Sequence, residues 1–218
     1  MAQILTLFVS TFSTLLAIIN PLEALPVFLM LLQGQDDAAH RKVALRASLY
    51  ALGLLFFFLI FGTLIMRVFG VSLSMVRVIG GIVLIRIGFE LFSGSSSKVG
   101  IASGKDGGDM DVAFMPLAMP LMCGPGAIAT MLGMMATIRH EELETAAFFA
   151  VAAAIAATMI VTYFCLAYAR IVVGRIGPMG IDAVTRIVGF FVAAIGGGLV
   201  FTGIIEALHE HGLIATGA

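Results

Sequence analysis

Six apolar stretches, each near the length needed to cross a lipid bilayer, constrain this chain more than any other feature. A spanning helix needs about 20 apolar residues. Only 11% of the 218 residues are charged and the mean hydropathy is +1.12, so a soluble fold could not cover this much apolar side chain. The sequence therefore predicts an all-α, polytopic membrane protein with six transmembrane helices. They lie near residues 3–32, 44–66, 72–92, 113–138, 146–169 and 184–206.

The first and fourth stretches are each interrupted near the middle. The first breaks at Asn20-Pro21 and the fourth at Gly124-Pro125. Proline removes a backbone donor and clashes with the preceding turn, and a break at membrane depth is tolerated where it is buried in protein or lines a cavity. Each break also starts a helix well, with an N-cap residue followed by proline, and Glu23 completes the capping pattern Asn-x-x-Glu. Both long helices are therefore predicted to restart at mid-membrane.

A Gly- and Ser-rich stretch, residues 93–111, separates two similar halves of one transmembrane domain that covers 1–218. The two breaks lie 104 positions apart. Because each half holds an odd number of helices, the second half (about 112–206) must enter the membrane from the side opposite to the first (about 1–92), as in inverted repeats. Residues of the third stretch recur in the sixth at an offset of 109: Arg77, Gly80, Val83, Gly88, Phe92 and Gly94 match Arg186, Gly189, Val192, Gly197, Phe201 and Gly203.

The positions of the basic residues predict the orientation of the chain in the membrane. Cytoplasmic loops carry an excess of Lys and Arg. One set of helix ends holds Arg67, Arg77 and Arg139. The opposite set is richer and includes the linker, so we expect the linker to be cytoplasmic and both termini to lie outside. That richer set is Arg41, Lys42, Arg46, Lys98, Lys105, Arg170, Arg175 and Arg186.

The two breaks form the candidate binding site. A helix start presents free backbone N–H groups and the positive end of the helix dipole, so two starts facing one cavity suit a carboxylate. Glu23 would bind a substrate amine or carry a proton, or it would only cap its own helix. Two proline kinks packed against neighbouring helices are the structural alternative. The candidate substrate-binding residues are Asn20, Pro21, Glu23, Ala24, Gly124, Pro125, Gly126, Ala127 and Thr130.

Other chemistry finds little support in the sequence. The sequence shows no cluster of a nucleophile, a base and an orienting acid, and no set of His, Asp and Glu residues has the spacing of metal ligands. Cys123 and Cys165 lie in apolar runs, which does not indicate a disulfide framework. No basic patch indicates nucleic acid. We therefore expect neither an enzyme nor a resident cofactor or metal.

Several stretches of the chain resemble the MarC family of bacterial and archaeal inner-membrane proteins. The resemblance extends over nearly the whole chain. It implies six helices, a location in the bacterial or archaeal inner membrane and, for some members, transport of small neutral amino acids of the alanine or glycine type. The chain departs from the family where many relatives carry a small residue in place of Glu23. The stretches that carry the resemblance are Asn20-Pro21, Pro26 to Phe28, Arg77 to Gly81, Pro116 to Leu121, Gly124 to Ile128 and Arg186 to Gly189.

Together these features predict a secondary transporter of small neutral amino acids that works by alternating access, with export among the directions it could serve. Its partners would be that small-molecule substrate and the lipid bilayer, and assembly into a homo-oligomer is left open. An ion or solute channel is one alternative, although it would need a continuous polar path. A membrane scaffold that transports nothing is the other.

Overall fold

The fold is described by a computed structural model that covers residues 2–94, 112–138 and 144–213. Within these ranges the chain is all-helical and holds no strand, which confirms the all-α part of the predicted fold class. Most of the predicted linker and Arg139 lie outside the described residues. The helices are α1 (Ala2–Ile19), α2 (Pro21–Leu31), α3 (Asp37–Phe69), α4 (Leu73–Ser93), α5 (Ala113–Met122), α6 (Pro125–Ile138), α7 (Glu144–Ala167) and α8 (Ala169–Glu210).

Four described segments are long and apolar enough to cross a membrane. They are Gln3–Leu31, Asp37–Phe69, Thr145–Ala167 and Ala169–Glu210. The first joins α1 and α2 across the Asn20 break. Six crossings were expected, and the remaining two, α4 and α5–α6, stay a prediction. The first of these carries three charged residues in 21, and the second is interrupted.

Capping residues in the sequence fix both ends of α3 and the start of α4. At the start of α3, the Asp36 carboxylate accepts a hydrogen bond of 2.8 Å from the backbone N–H of Ala39. The helix ends at Gly70, whose φ of 63° lies in the left-handed region that glycine adopts without strain. Two residues later, the Ser72 hydroxyl accepts a hydrogen bond from the N–H of Met75 and starts α4. The chain therefore reverses direction within three residues.

The region before Gly124 departs from the helix that was predicted to run from residue 113 up to the break at Gly124-Pro125. α5 is wound in the wide π-helical manner, and two residues inside it have extended backbone, Met115 and Met119. Each directly precedes a proline, Pro116 or Pro120, and the ring of a proline disfavours helical backbone at the residue before it. The interruption therefore begins well before Gly124 and ends where α6 starts.

The last helix also differs from prediction. Instead of a separate helix over 184–206, α8 runs from Ala169 and changes direction at Gly177, where φ is 73° and ψ is 162°. Pro178 follows and restarts the helix, since its fixed φ suits a first helical position. Asp182 lies inside the helix after this bend, and its carboxylate pairs with Arg186 at 2.8 Å.

α4 and α8 pack against each other as antiparallel helices in backbone contact. At one end, Arg77 pairs with Glu206. Along the seam the glycines pair reciprocally: a Cβ added at Gly81 would lie 2.5 Å from the carbonyl oxygen of Gly196, and one added at Gly196 would lie 2.6 Å from that of Gly81. Gly88 and Gly189 repeat this relation one heptad further along. Small residues permit such close approach between membrane helices.

The other helices enclose one continuous apolar core that also receives Ile181 of α8. Its fully buried side chains include Leu15, Phe28, Leu55, Leu117 and Ile155. Large apolar side chains also cover the outside of the bundle, as expected for a protein whose solvent is lipid. Exposed aromatic examples are Phe57, Phe61, Phe89, Phe149, Phe190, Phe191 and Phe201.

Candidate functional site

The first predicted break is present, but its geometry is not that of a capping box. Asn20 separates α1 from α2 and adopts left-handed backbone, with φ 38° and ψ 73°. Its carbonyl oxygen accepts a 3.0 Å hydrogen bond from the N–H of Glu23. The Asn20 side chain makes no cap hydrogen bond, because an N-cap side chain reaches the helix start from extended backbone instead. The predicted capping box is therefore wrong, although the predicted break is confirmed.

The freed side chain leaves an unsatisfied donor at the break. Asn20 is only 3% exposed, and its Nδ2 has no hydrogen-bond partner among the described residues. Leaving a buried polar group unpaired costs about 1–3 kcal/mol, so such groups are rare in native proteins. Pro21 and Ala24, also predicted for the site, lie buried in the first turn of α2. A buried donor with no protein partner is positioned to donate a hydrogen bond to a ligand.

The second predicted break is also present. α6 begins at Pro125, and the carbonyl oxygen of Gly124 accepts the 3.1 Å hydrogen bond of a normal first turn. Gly126 is buried against α4, since a Cβ there would lie 2.5 Å from Cδ2 of Leu84. Thr130 is buried too, and its hydroxyl donates a 2.9 Å hydrogen bond to the carbonyl oxygen of Gly126. Both of these residues therefore have a packing role within the described structure.

The two breaks border the same apolar core. Ile19 and Ala24 flank the first break, Cys123 and Ala127 flank the second, and all four belong to one cluster of buried side chains. The breaks thus share one interior. That their N–H groups face one ligand remains a prediction.

Glu23 lies in a cavity of about 260 Å³ between α2 and α8. Among the described residues, none makes a hydrogen bond or an ion pair with the Glu23 carboxylate. Glu90 is close enough for its charge to act on that carboxylate. The α8 side of this cavity was not predicted from the sequence, because no helix was predicted over residues 170–183. The Gly177-Pro178 pair was the sequence signal that could have indicated it. The cavity is lined by Glu23, Pro26, Leu29, Val173, Pro178, Ile181, Asp182 and Thr185.

In the described ranges, no three His, Cys, Asp or Glu side chains lie together in a way that could hold a metal ion. The neutral amide and hydroxyl groups and the single unpaired carboxylate near the α2 break suit a small polar organic ligand instead. A ligand in the cavity would lie between α2 and α8.

The fold and the buried breaks define a polytopic helical membrane protein. The sequence pattern of the family described as "MarC family integral membrane protein" matches residues 5–208 of the chain. The chain therefore belongs to this family. It is 34% identical to a UPF0056 membrane protein of Methanocaldococcus jannaschii (92% of this chain, 97% of that one) and 36% identical to one of Aquifex aeolicus (93% and 94%). It is 28% identical to the "UPF0056 inner membrane protein MarC" of Salmonella typhimurium (90% and 93%). No solved structure matches the chain.

Proposed function

We propose that this protein is a secondary transporter of small neutral amino acids in the bacterial or archaeal inner membrane. The observation that carries the proposal is the buried break at Asn20, which leaves an amide donor without a partner three residues from the unpaired carboxylate of Glu23. A donor and an anionic acceptor one helical turn apart are complementary to the two ends of an amino acid zwitterion. The small residues Ala24 and Ala127 would limit the size of the substrate side chain.

Inverted repeats would supply the two-state scaffold that alternating access needs. One pair of contacts between α4 and α8 supports such repeats. Gly94 lies against Arg186, and their repeat mates, Gly203 and Arg77, also lie against each other. A two-fold axis in the membrane plane, passing near the middle of both helices, would relate these two contacts. Rocking one half against the other about this seam would expose the central site to each side in turn.

In this mechanism the substrate carboxylate binds near the half-helix starts, with Asn20 as a donor, and Glu23 accepts the amine or carries a coupling proton. Packing of Gly126 against α4 would hold the second start in place. Enclosure by apolar side chains would strengthen these polar contacts, because little water competes for them.

Uptake of labelled alanine into proteoliposomes preloaded with alanine tests the proposal. The intact protein should exchange alanine, and Asn20→Ala should exchange about tenfold more slowly, as expected when one hydrogen bond to a charged group is lost. Thr158→Val is the control, since the Thr158 hydroxyl bonds only the carbonyl of Ala154 in its own helix. Absence of exchange by the intact protein rejects the proposal, and an ionic current far above transporter rates favours a channel.

A further inference from the structure

The α2–α8 cavity has a polar inner end and apolar walls. Arg170, near the start of α8, pairs with Asp37, the first residue of α3, at 2.9 Å, so α8 starts beside the end of α2 and runs antiparallel to it. Leu29 and Val173 therefore lie towards that shared end of the bundle. Glu23 on α2 and Thr185 on α8 are the lining residues furthest from that end along their helices. A solute that enters from the Asp37 end would first pass Leu29 and Val173 and then meet the polar side chains of Glu23, Asp182 and Thr185.

Thr185, like Thr11 of α1, is a buried threonine whose hydroxyl has no hydrogen-bond partner in the described ranges, whereas three other buried threonines have one. The hydroxyls of Thr130, Thr158 and Thr162 each donate to the carbonyl four residues earlier, at 2.9, 2.8 and 2.8 Å. Thr185 is 7% exposed, and its Oγ1 has no hydrogen-bond partner in the described ranges. Back-bonding is the usual way in which a helix satisfies a hydroxyl. Thr185 lines the cavity, and its hydroxyl oxygen is buried with its hydrogen-bonding capacity unused.

The charges around the cavity leave Glu23 as the carboxylate without a counterion. Asp182, on the α8 wall, pairs with Arg186 at 2.8 Å, and Glu90, which acts on Glu23 through space, pairs with Arg86 at 3.0 Å. These two ion pairs are each neutral. An ionised Glu23 would therefore leave one net negative charge in the described surroundings, which a ligand group that carries one positive charge would balance.

We infer that this cavity binds the primary ammonium group of a small solute, with the Glu23 carboxylate and the Thr185 hydroxyl oxygen as acceptors. An ammonium group brings three donors and one positive charge, which matches both the unpaired carboxylate and the unused hydroxyl. A proton on Glu23 would balance the charge but would leave Thr185 without a partner. A divalent metal ion would need about six oxygen ligands, more than these side chains supply.

The inference rests on the proposed function, which it deepens, because it assigns the substrate amine to a named pair of residues on two helices. It implies that the ammonium group is recognised separately from the carboxylate. A simple alkylammonium ion should therefore bind in the cavity, whereas a hydroxy acid that keeps the carboxylate and lacks the amine should not.

The test measures thermal unfolding of the full chain in detergent against ethylammonium, alanine, lactate and sodium, each as its chloride or neutral salt at matched ionic strength. A ligand that binds only the folded state raises the melting temperature. Ethylammonium and alanine should stabilise the intact protein, whereas lactate and sodium should not. The variants Glu23→Gln and Thr185→Val should bind both ligands about tenfold more weakly, the loss expected for a charge-assisted hydrogen bond.

Thr158→Val, a buried threonine away from the cavity, is the matched control and should respond as the intact protein does. If alanine stabilises all variants equally, the ammonium inference is wrong and the transporter proposal stands. If ethylammonium stabilises the protein through Glu23 and Thr185 but liposomes exchange no alanine, the transporter proposal fails and the ammonium site stands. A Glu23-dependent response to sodium, or no response to either amine, overturns the inference.

Discussion

At the scale of single residues, Asn20 combines two properties that substitution can separate. Its backbone is left-handed, which glycine adopts freely and alanine does not, and its side chain holds an unpaired buried donor. Asn20→Gly should therefore keep the break and lose only the amide. Asn20→Ala should lose both and be less stable than the glycine variant by about 1 kcal/mol, the usual cost of left-handed backbone for a residue with a Cβ.

Thermal unfolding and alanine exchange, measured on both variants, distinguish the two properties. The expected result is alanine exchange about tenfold slower in both variants, with reduced stability only in Asn20→Ala. Normal exchange by Asn20→Gly would show that the amide does not contact substrate, and the break would then serve packing alone.

At the scale of the helices, the triple glycine of α8 offers a matched pair of substitutions one residue apart. A Cβ added at Gly196 would lie 2.6 Å from the carbonyl oxygen of Gly81 and 2.7 Å from the N–H nitrogen of Ile85, whereas a Cβ at Gly197 would meet nothing within 4 Å. Gly196→Ala should push α4 and α8 apart and lower stability by about 1–3 kcal/mol, as overpacking does. Gly197→Ala should be neutral or stabilising by up to about 1 kcal/mol, because alanine favours helix.

Size-exclusion profiles after stepwise heating compare the two variants directly. Equal melting temperatures for Gly196→Ala and Gly197→Ala would contradict the backbone contact. A loss of transport by Gly197→Ala without loss of stability would instead indicate that the glycines serve as a hinge.

The helices also show which features could be predicted from sequence. Both breaks were predictable, because proline acts through its own ring and the effect is local. The close α4–α8 seam was partly predictable, since glycines spaced along both helices indicate close packing. The Asn20 side chain was not, because extended or left-handed backbone at a cap depends on how α1 meets α2. The Glu23–Thr185 cavity was missed because it requires knowing that α8 lies beside α2.

At the scale of the whole molecule, the ion pair between Arg77 and Glu206 joins the start of α4 to the end of α8. Its side chains are 11% and 35% exposed, so water screens the pair only in part. Arg77→Gln and Glu206→Gln should each lower stability, and the double variant should lose less than their sum, with a coupling of about 0.5–3 kcal/mol. Thermal unfolding of all four proteins measures it. Additive losses would mean that the pair does not hold the two helices together.

The orientation of the whole molecule determines which side the Glu23 cavity faces. The cavity lies between α2 and α8, which adjoin at the end of the bundle that holds the α2–α3 turn, and the excess of basic residues predicts that this end is cytoplasmic. Single cysteines at Gln33 and at Val71, in a chain whose Cys123 and Cys165 are replaced by alanine, test this prediction with a membrane-impermeant thiol reagent. Intact cells should be labelled at Val71→Cys, and Gln33→Cys should be labelled only after the membrane is opened.

A third cysteine at Leu213, near the C-terminus, should be labelled from outside together with Val71→Cys, because α8 ends beside the start of α4. Labelling in this pattern would place the α2–α3 end of the bundle, where Leu29 and Val173 line the cavity, at the cytoplasmic side of the membrane. The reverse pattern would place that end outside, and the predicted orientation would be wrong.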